Sequence, residues 1–185
     1  MSSPASRDAP RDGPPAGEAL LTEHFYRELH DLAVRAFASE GKGHTLQPTA
    51  VVHEACLRLL TTSPLPEASR SERLALAARV LRQVLVDHHR ARNAEKRGGG
   101  ALRLELDPAL CATPDATADF GALHTALERL RALHERQAEV VTLRTFGGLT
   151  MEQVAAALGV SKRTVEDDWA VARAWLRREL AGGGA

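Results

Sequence analysis

Apolar side chains recur along this chain at helical spacing, in blocks separated by glycine and proline. Leu21, Phe25, Leu29, Leu32 and Ala36 step by 4, 4, 3 and 4 residues, which predicts an amphipathic helix of about 20 residues. Gly41-Lys42-Gly43 breaks it, and Pro48 suits the first turn of the next helix, which runs to about Leu60 with Val52, Ala55, Cys56 and Leu59 inward. Thr61–Ala68 reads as a proline-punctuated loop. Ser69 and Glu72 have capping-box spacing for a third helix, whose core face carries Leu74, Ala77, Ala78, Leu81 and Leu85. From Gly98 to about Ala118 helical spacing lapses. Leu102, Leu104 and Leu106 alternate with Arg103 and Glu105, the pattern of a short extended segment. Helical periodicity resumes with Phe120, Leu123, Leu127 and Leu130, then again around Val140, Val141 and Leu143.

Leu149–Leu180 is the most ordered pattern. Thr150 and Gln153 can close a capping box, and Val154, Ala155 and Leu158 ride one face of a short helix. Gly159 suits a left-handed stop, and Ser161 caps a second helix. Along that helix Val165, Trp169, Ala172 and Leu176 form one stripe for burial. Lys162, Arg163, Glu166, Asp167 and Ala170 occupy the opposite arc. Two short helices about a tight glycine turn predict a helix-turn-helix, whose second helix places N-terminal residues against base edges. Arg163 fits a bidentate guanine contact, Lys162 a phosphate, and Glu166 a cytosine amine. Thr164 and the free N–H groups of the first turn fit a further phosphate.

Composition changes this picture in two ways. Only 4% of the 185 residues are aromatic against 44% hydrophobic overall, so the cores must be built from Leu, Val and Ala, which favours helices. Net charge is zero, yet unevenly placed. Residues 61–97 carry eight basic and four acidic side chains, residues 98–120 one basic and four acidic, and residues 134–180 seven of each. A neutral helix-turn-helix gains little from counterion release and needs something larger to hold it on DNA. The basic block, Arg79, Arg82, His88, His89, Arg90, Arg92, Lys96 and Arg97, forms a ridge on the third helix and its extension, suited to phosphates. Cys56 and Cys111 lie in no metal or redox spacing, and Cys56 reads as a buried helix residue. No apolar run approaches 18 residues, and MSSPASRDAPRDGPPAGEA reads as a disordered tail, so a cytoplasmic protein without membrane contact is expected.

The stretch RTFGGLTMEQVAAALGVSKRTVEDDWAVARAWLRREL resembles the −35-reading domain of bacterial sigma factors. GHTLQPTAVVHEACLRLL and LALAARVLRQVLVDHHRARNAEKRGGG resemble the N-terminal domain of the extracytoplasmic-function branch, so the likeness spans roughly residues 20–180. It implies an all-α protein of two small helical domains, at 20–97 and 119–181, after a tail at 1–19 and joined by a flexible acidic linker at 98–118. The first domain would bind core RNA polymerase and the −10 element, the second the −35 element. Gln47, His53, Glu54, Leu57 and Arg58 would meet the β′ clamp helices, and the β flap is a further expected partner. The basic ridge would grip the −10 side, and Ser161, Lys162, Arg163, Thr164, Glu166, Asp167 and Ala170 would face the −35 side. An anti-sigma factor or a regulatory kinase would be a further partner. The chain departs from the pattern at its aromatics, since none lies between Phe37 and Phe120, whereas relatives usually carry them before LAARV and in place of Cys56. Asp167 also stands where relatives often place a basic residue.

Two other DNA-binding readings stay open. A stand-alone helix-turn-helix regulator would need its own affinity, against which the neutral balance of 134–180 weighs. A degenerate sigma-like adaptor, occupying polymerase or an anti-sigma partner without opening promoters, fits the missing aromatics and the acidic pair Glu166-Asp167. Enzyme chemistry has little support. His53-Glu54 begins like a zinc-protease motif, but Leu57 stands where the second histidine belongs, and adjacent His88 and His89 diverge by about 100° on a helix. No metal, cofactor or catalytic residue is expected. The sequence leaves the packing of the two domains open; one arrangement is compact, with the acidic linker covering the basic ridge.

Overall fold

A computed structural model describes residues 23–36, 48–62, 68–95, 103–105 and 117–182. Helix α1 spans Glu23–Ala36, α2 Pro48–Thr62 and α3 Arg70–Glu95. Two three-residue strands follow, β1 Arg103–Glu105 and β2 Thr117–Asp119, then α4 Phe120–Leu133, α5 Glu135–Gly147, α6 Met151–Leu158 and α7 Lys162–Gly182. The all-α expectation holds. The extended pattern around Leu104 is β1, and it pairs antiparallel with β2 in the register Leu104 opposite Ala118. That partner was not legible, because 117–119 carries no alternation of its own.

Local signals set most helix ends. Ser69 and Glu72 exchange both capping-box bonds, at 2.7 and 3.3 Å. Pro48 opens α2 as its fixed φ and missing N–H favour. Asp119 caps α4 by accepting from the Ala122 N–H at 3.3 Å. Gly148 and Gly159 end α5 and α6 in the left-handed region, at φ 58° and 66°. At α6 the Thr150 backbone N–H donates to Gln153 at 2.8 Å and the Gln153 N–H donates to the Thr150 hydroxyl at 3.2 Å. Thr150→Ala should therefore cost about 1 kcal/mol of stability, and Thr150→Ser should recover most of it, measured by urea unfolding. An alanine variant as stable as the parent would show that tertiary packing alone fixes this turn.

The two helical groups, α1–α3 and α4–α7, share one buried core. Phe25, Leu29 and Ala33 of α1 join Val51, Val52, Ala55, Cys56 and Leu59 of α2 and an extensive buried set on α3. Burial raises the Cys56 thiol pKa, so it stays protonated and packs as a small hydrophobe. Phe120 is wholly buried, edge-on to Phe146 of α5 at 6.3 Å and to His89 of α3 at 5.6 Å. The end of α5 comes so near α3 that a Cβ on Gly147 would stand 2.8 Å from the Ala78 Cβ. No helix among the described residues is long and apolar enough to cross a membrane.

Candidate nucleic-acid interface

The exposed face of the helix-turn-helix is built from its corner outward. Val165, Trp169, Ala172 and Leu176 are buried as their spacing predicts. The Arg144 guanidinium lies 5.2 Å from the centroid of the Trp169 ring and donates to the Leu149 carbonyl at 2.8 Å, fastening α5 to the corner. Asp168 is also buried, 7% exposed, and accepts from Arg136 at 2.6 Å. Sequence reasoning missed this pair, since Asp168 sits inside an acidic run and its partner is 32 residues away. It locks the roll of α7 against α5, because a buried carboxylate must keep its cation.

That roll leaves Ser161, Lys162, Arg163, Glu166, Asp167 and Ala170 exposed and Thr164 half-buried. Ser161 caps α7 by accepting from the Thr164 N–H at 3.1 Å, and their hydroxyls lie 2.8 Å apart. Lys162 lies between two carboxylates, 2.6 Å from Glu152 of α6 and 3.6 Å from Glu166. The Lys162 ammonium, with help from the Thr150 cap, holds the Glu152 carboxyl down at about 2. Arg163 is exposed and makes no ion pair with the described residues.

The residues expected on polymerase and on the −10 side are more entangled. Gln47, Lys96 and Arg97 lie outside the described residues. Leu57 projects from α2 at 65% exposure. His53 is exposed and 3.0 Å from the Tyr26 hydroxyl. Glu54 and Arg58 are half-buried in a network with α3: Arg58 donates to Glu54 at 2.5 Å and to Asp87 at 2.7 Å, and His88 lies 2.8 Å from Glu54. Arg58 holds the Asp87 carboxyl below its usual range. His88 is half-buried and joins α2 to α3 through this contact.

Arg82 departs furthest from expectation. It is 6% exposed, with Nη2 donating to Glu128 at 2.6 Å and to His124 Nδ1 at 3.1 Å, both on α4. Arg79 donates to Glu139 of α5 at 2.5 Å. His89 is half-buried against Phe120 and bonds Asn93 at 3.0 Å. Arg90 is exposed and Arg92 half-buried. Where a compact form would have the acidic linker over this ridge, the carboxylates that meet Arg79 and Arg82 belong to α4 and α5.

Burial first, then the Arg82 charge, lowers the His124 pKa below 6.5. This agrees with the geometry, since Nδ1 can accept from Arg82 only when unprotonated. The folded value is the lower one, so the stability contributed by this hydrogen bond is complete above about pH 6.5 and fades as pH falls toward the depressed value. Acidification from about pH 7.5 to about 5.5 should lower the urea midpoint, and less so in His124→Asn. Equal falls in both proteins would remove His124 as a source of the pH dependence.

A model of the ECF sigma factor family matches residues 8–182. No curated protein and no solved structure matches the chain.

Proposed function

The chain belongs to the ECF sigma factor family, and we propose on that basis that it joins core RNA polymerase and directs it to specific promoters, without chemistry of its own. Membership implies a role in transcription with RNA polymerase and promoter DNA as partners. The finer assignment is ours. The first turns of α7 read the −35 element, with Arg163 on a guanine and Thr164 with the α7 N-terminus on phosphate. Exposed Leu57, His53 and the Glu54–Arg58 pair of α2, with Gln47, dock on the β′ clamp helices, and the C-terminal helices meet the β flap. The basic side of α3, Arg79, Arg82, His88, His89, Arg90 and Arg92 with Lys96 and Arg97, takes the −10 side. An anti-sigma protein or a kinase controls it, and the protein works in the cytoplasm.

The observation that carries this reading is the roll of α7. Its apolar stripe and Asp168 are buried while every side chain of the charged arc faces outward. Single-round run-off transcription with bacterial core polymerase on a promoter library tests it. Start sites that require the protein are the expected result. DNA retarded by the protein alone, without core binding, would favour a stand-alone regulator.

A degenerate adaptor keeps one observation in its favour, the acidic pair Glu166-Asp167 exposed on the reading face. If Asp167 faces a phosphate, Asp167→Arg should tighten promoter binding by about tenfold at moderate salt and steepen the salt dependence. An unchanged affinity would mean that Asp167 lies away from the backbone.

A further inference from the structure

Arg163, Glu166, Asp167 and Ala170 are all exposed and follow the spacing i, i+3, i+4 and i+7, by which one helix face meets successive base edges in a major groove. Val171 continues this arc by one residue. Among the described residues of α6 and α7 it is the only large apolar side chain left exposed, at 55%. Trp169 and Ala172, close to it on either side in the sequence, are buried, and the Arg136–Asp168 pair fixes the same roll. The helix therefore cannot turn Val171 inward. A β-branched side chain in a helix keeps essentially one rotamer, so its two methyls are aimed before a partner arrives and lose little freedom on contact. A single exposed apolar residue is ordinary on a surface. What sets Val171 apart is its place, beside exposed Ala170 and one turn beyond Asp167 on the reading helix. With a rise of about 1.5 Å per residue it lies about 12 Å along the axis from Arg163, the length of roughly three to four base-pair steps. A valine can pair with no donor or acceptor of a base edge, and covering one of them carries a desolvation cost. The apolar group that the major groove offers is the C5-methyl of thymine.

We propose that Val171, with Ala170 beside it, is a specificity-determining contact that reads the C5-methyl of a thymine in the −35 element, roughly three to four base pairs from the guanine assigned to Arg163. Arg163 then selects one position of the site by hydrogen bonds, and Val171 selects another by methyl packing. This rests on the assignment of the exposed arc of α7 to promoter DNA and adds the base chemistry at its far end. The contact carries no charge, so it contributes nothing to the salt dependence of binding, unlike a phosphate contact.

The test uses the full chain in complex with core polymerase, titrated against a fluorescent promoter whose start site requires the protein. Each thymine of the −35 element is replaced in turn by uracil, which lacks only the methyl group. One replacement should weaken binding of the parent about threefold to fourfold, the scale of one buried methyl-sized group. Val171→Ala should lose about as much on the unmodified promoter. It should also become indifferent to uracil at that one position, with its salt slope unchanged. The side chain is exposed, so the truncation opens no cavity in the core. If no single uracil weakens the parent, the proposal is overturned. A uracil effect that persists undiminished in Val171→Ala overturns the assignment of the contact to this residue. Failure of the sigma reading shows differently, as the absence of any protein-dependent start site, and takes this contact with it.

Discussion

Phe120→Ala should cost about 3–5 kcal/mol, the range for truncating a fully buried aromatic residue. Phe120 is wholly buried at the first position of α4, where its ring touches three helices. It stacks on His124 with centroids 6.1 Å apart, and meets Phe146 of α5 and His89 of α3 edge-on. Those edge-to-face contacts add to the apolar area that an alanine would give up. The cavity would open where the two helical groups share their core, so neither group can collapse to fill it alone. Urea unfolding followed by tryptophan fluorescence and by circular dichroism reads the effect, since both tryptophans, Trp169 and Trp175, lie in α7. The parent should give coincident transitions, as one core requires. The variant should show a lower midpoint, or two transitions that separate the groups. A loss below about 1 kcal/mol with coincident transitions would mean that the groups fold without leaning on this ring.

What is legible in the sequence is local. Capping boxes at Ser69 and Thr150, the proline at the start of α2, the glycine stop at 159 and the α7 stripe involve residues a few positions apart, and each forms as its spacing predicts. The long-range contacts are hidden by polar residues with two uses. On α3 the apolar face is plain from its spacing, but Arg82 and His89 continue it from Leu74 and Ala78 along a second side, stepping by 4, 4 and 7 residues. Its arginine and histidine read as surface residues in the sequence, because such residues usually stay there, and give no sign of the packing they also make. The signal that was available is the apolar character of Ala75, Val84 and Val86, buried beyond the first face, which marks a helix covered on more than one side. Asp168 is hidden in the same way, as one of three successive acidic residues of which only this one turns inward. Spacing identifies a helix face, while the partner of a charge on that face is decided by packing between elements far apart in the chain.

Arg163→Ala should weaken binding to a −35-containing promoter by about 10- to 100-fold and relax the preference at one base pair, whereas Lys162→Ala should do much less. The difference follows from what holds each side chain. Lys162 is an exposed cation already bracketed by Glu152 and Glu166, so a phosphate must compete with two carboxylates for it. Arg163 is exposed one residue further along α7 and has no such competitor among the described residues. A bidentate arginine–guanine pair discriminates by about 1–3 kcal/mol, and its removal falls on one position of the site. Removing a phosphate ligand at Lys162 would instead lower affinity evenly across sequences and reduce the salt slope by about 1. Polymerase–protein complexes titrated against a promoter and its single-base variants, at two salt concentrations, separate the two patterns. If Arg163→Ala weakens every variant equally and flattens the salt dependence, Arg163 is a phosphate ligand and α7 enters the groove rotated away from the base edge. If neither substitution matters while start sites still depend on the protein, recognition lies on α3, and the charged arc of α7 faces solvent even in the complex.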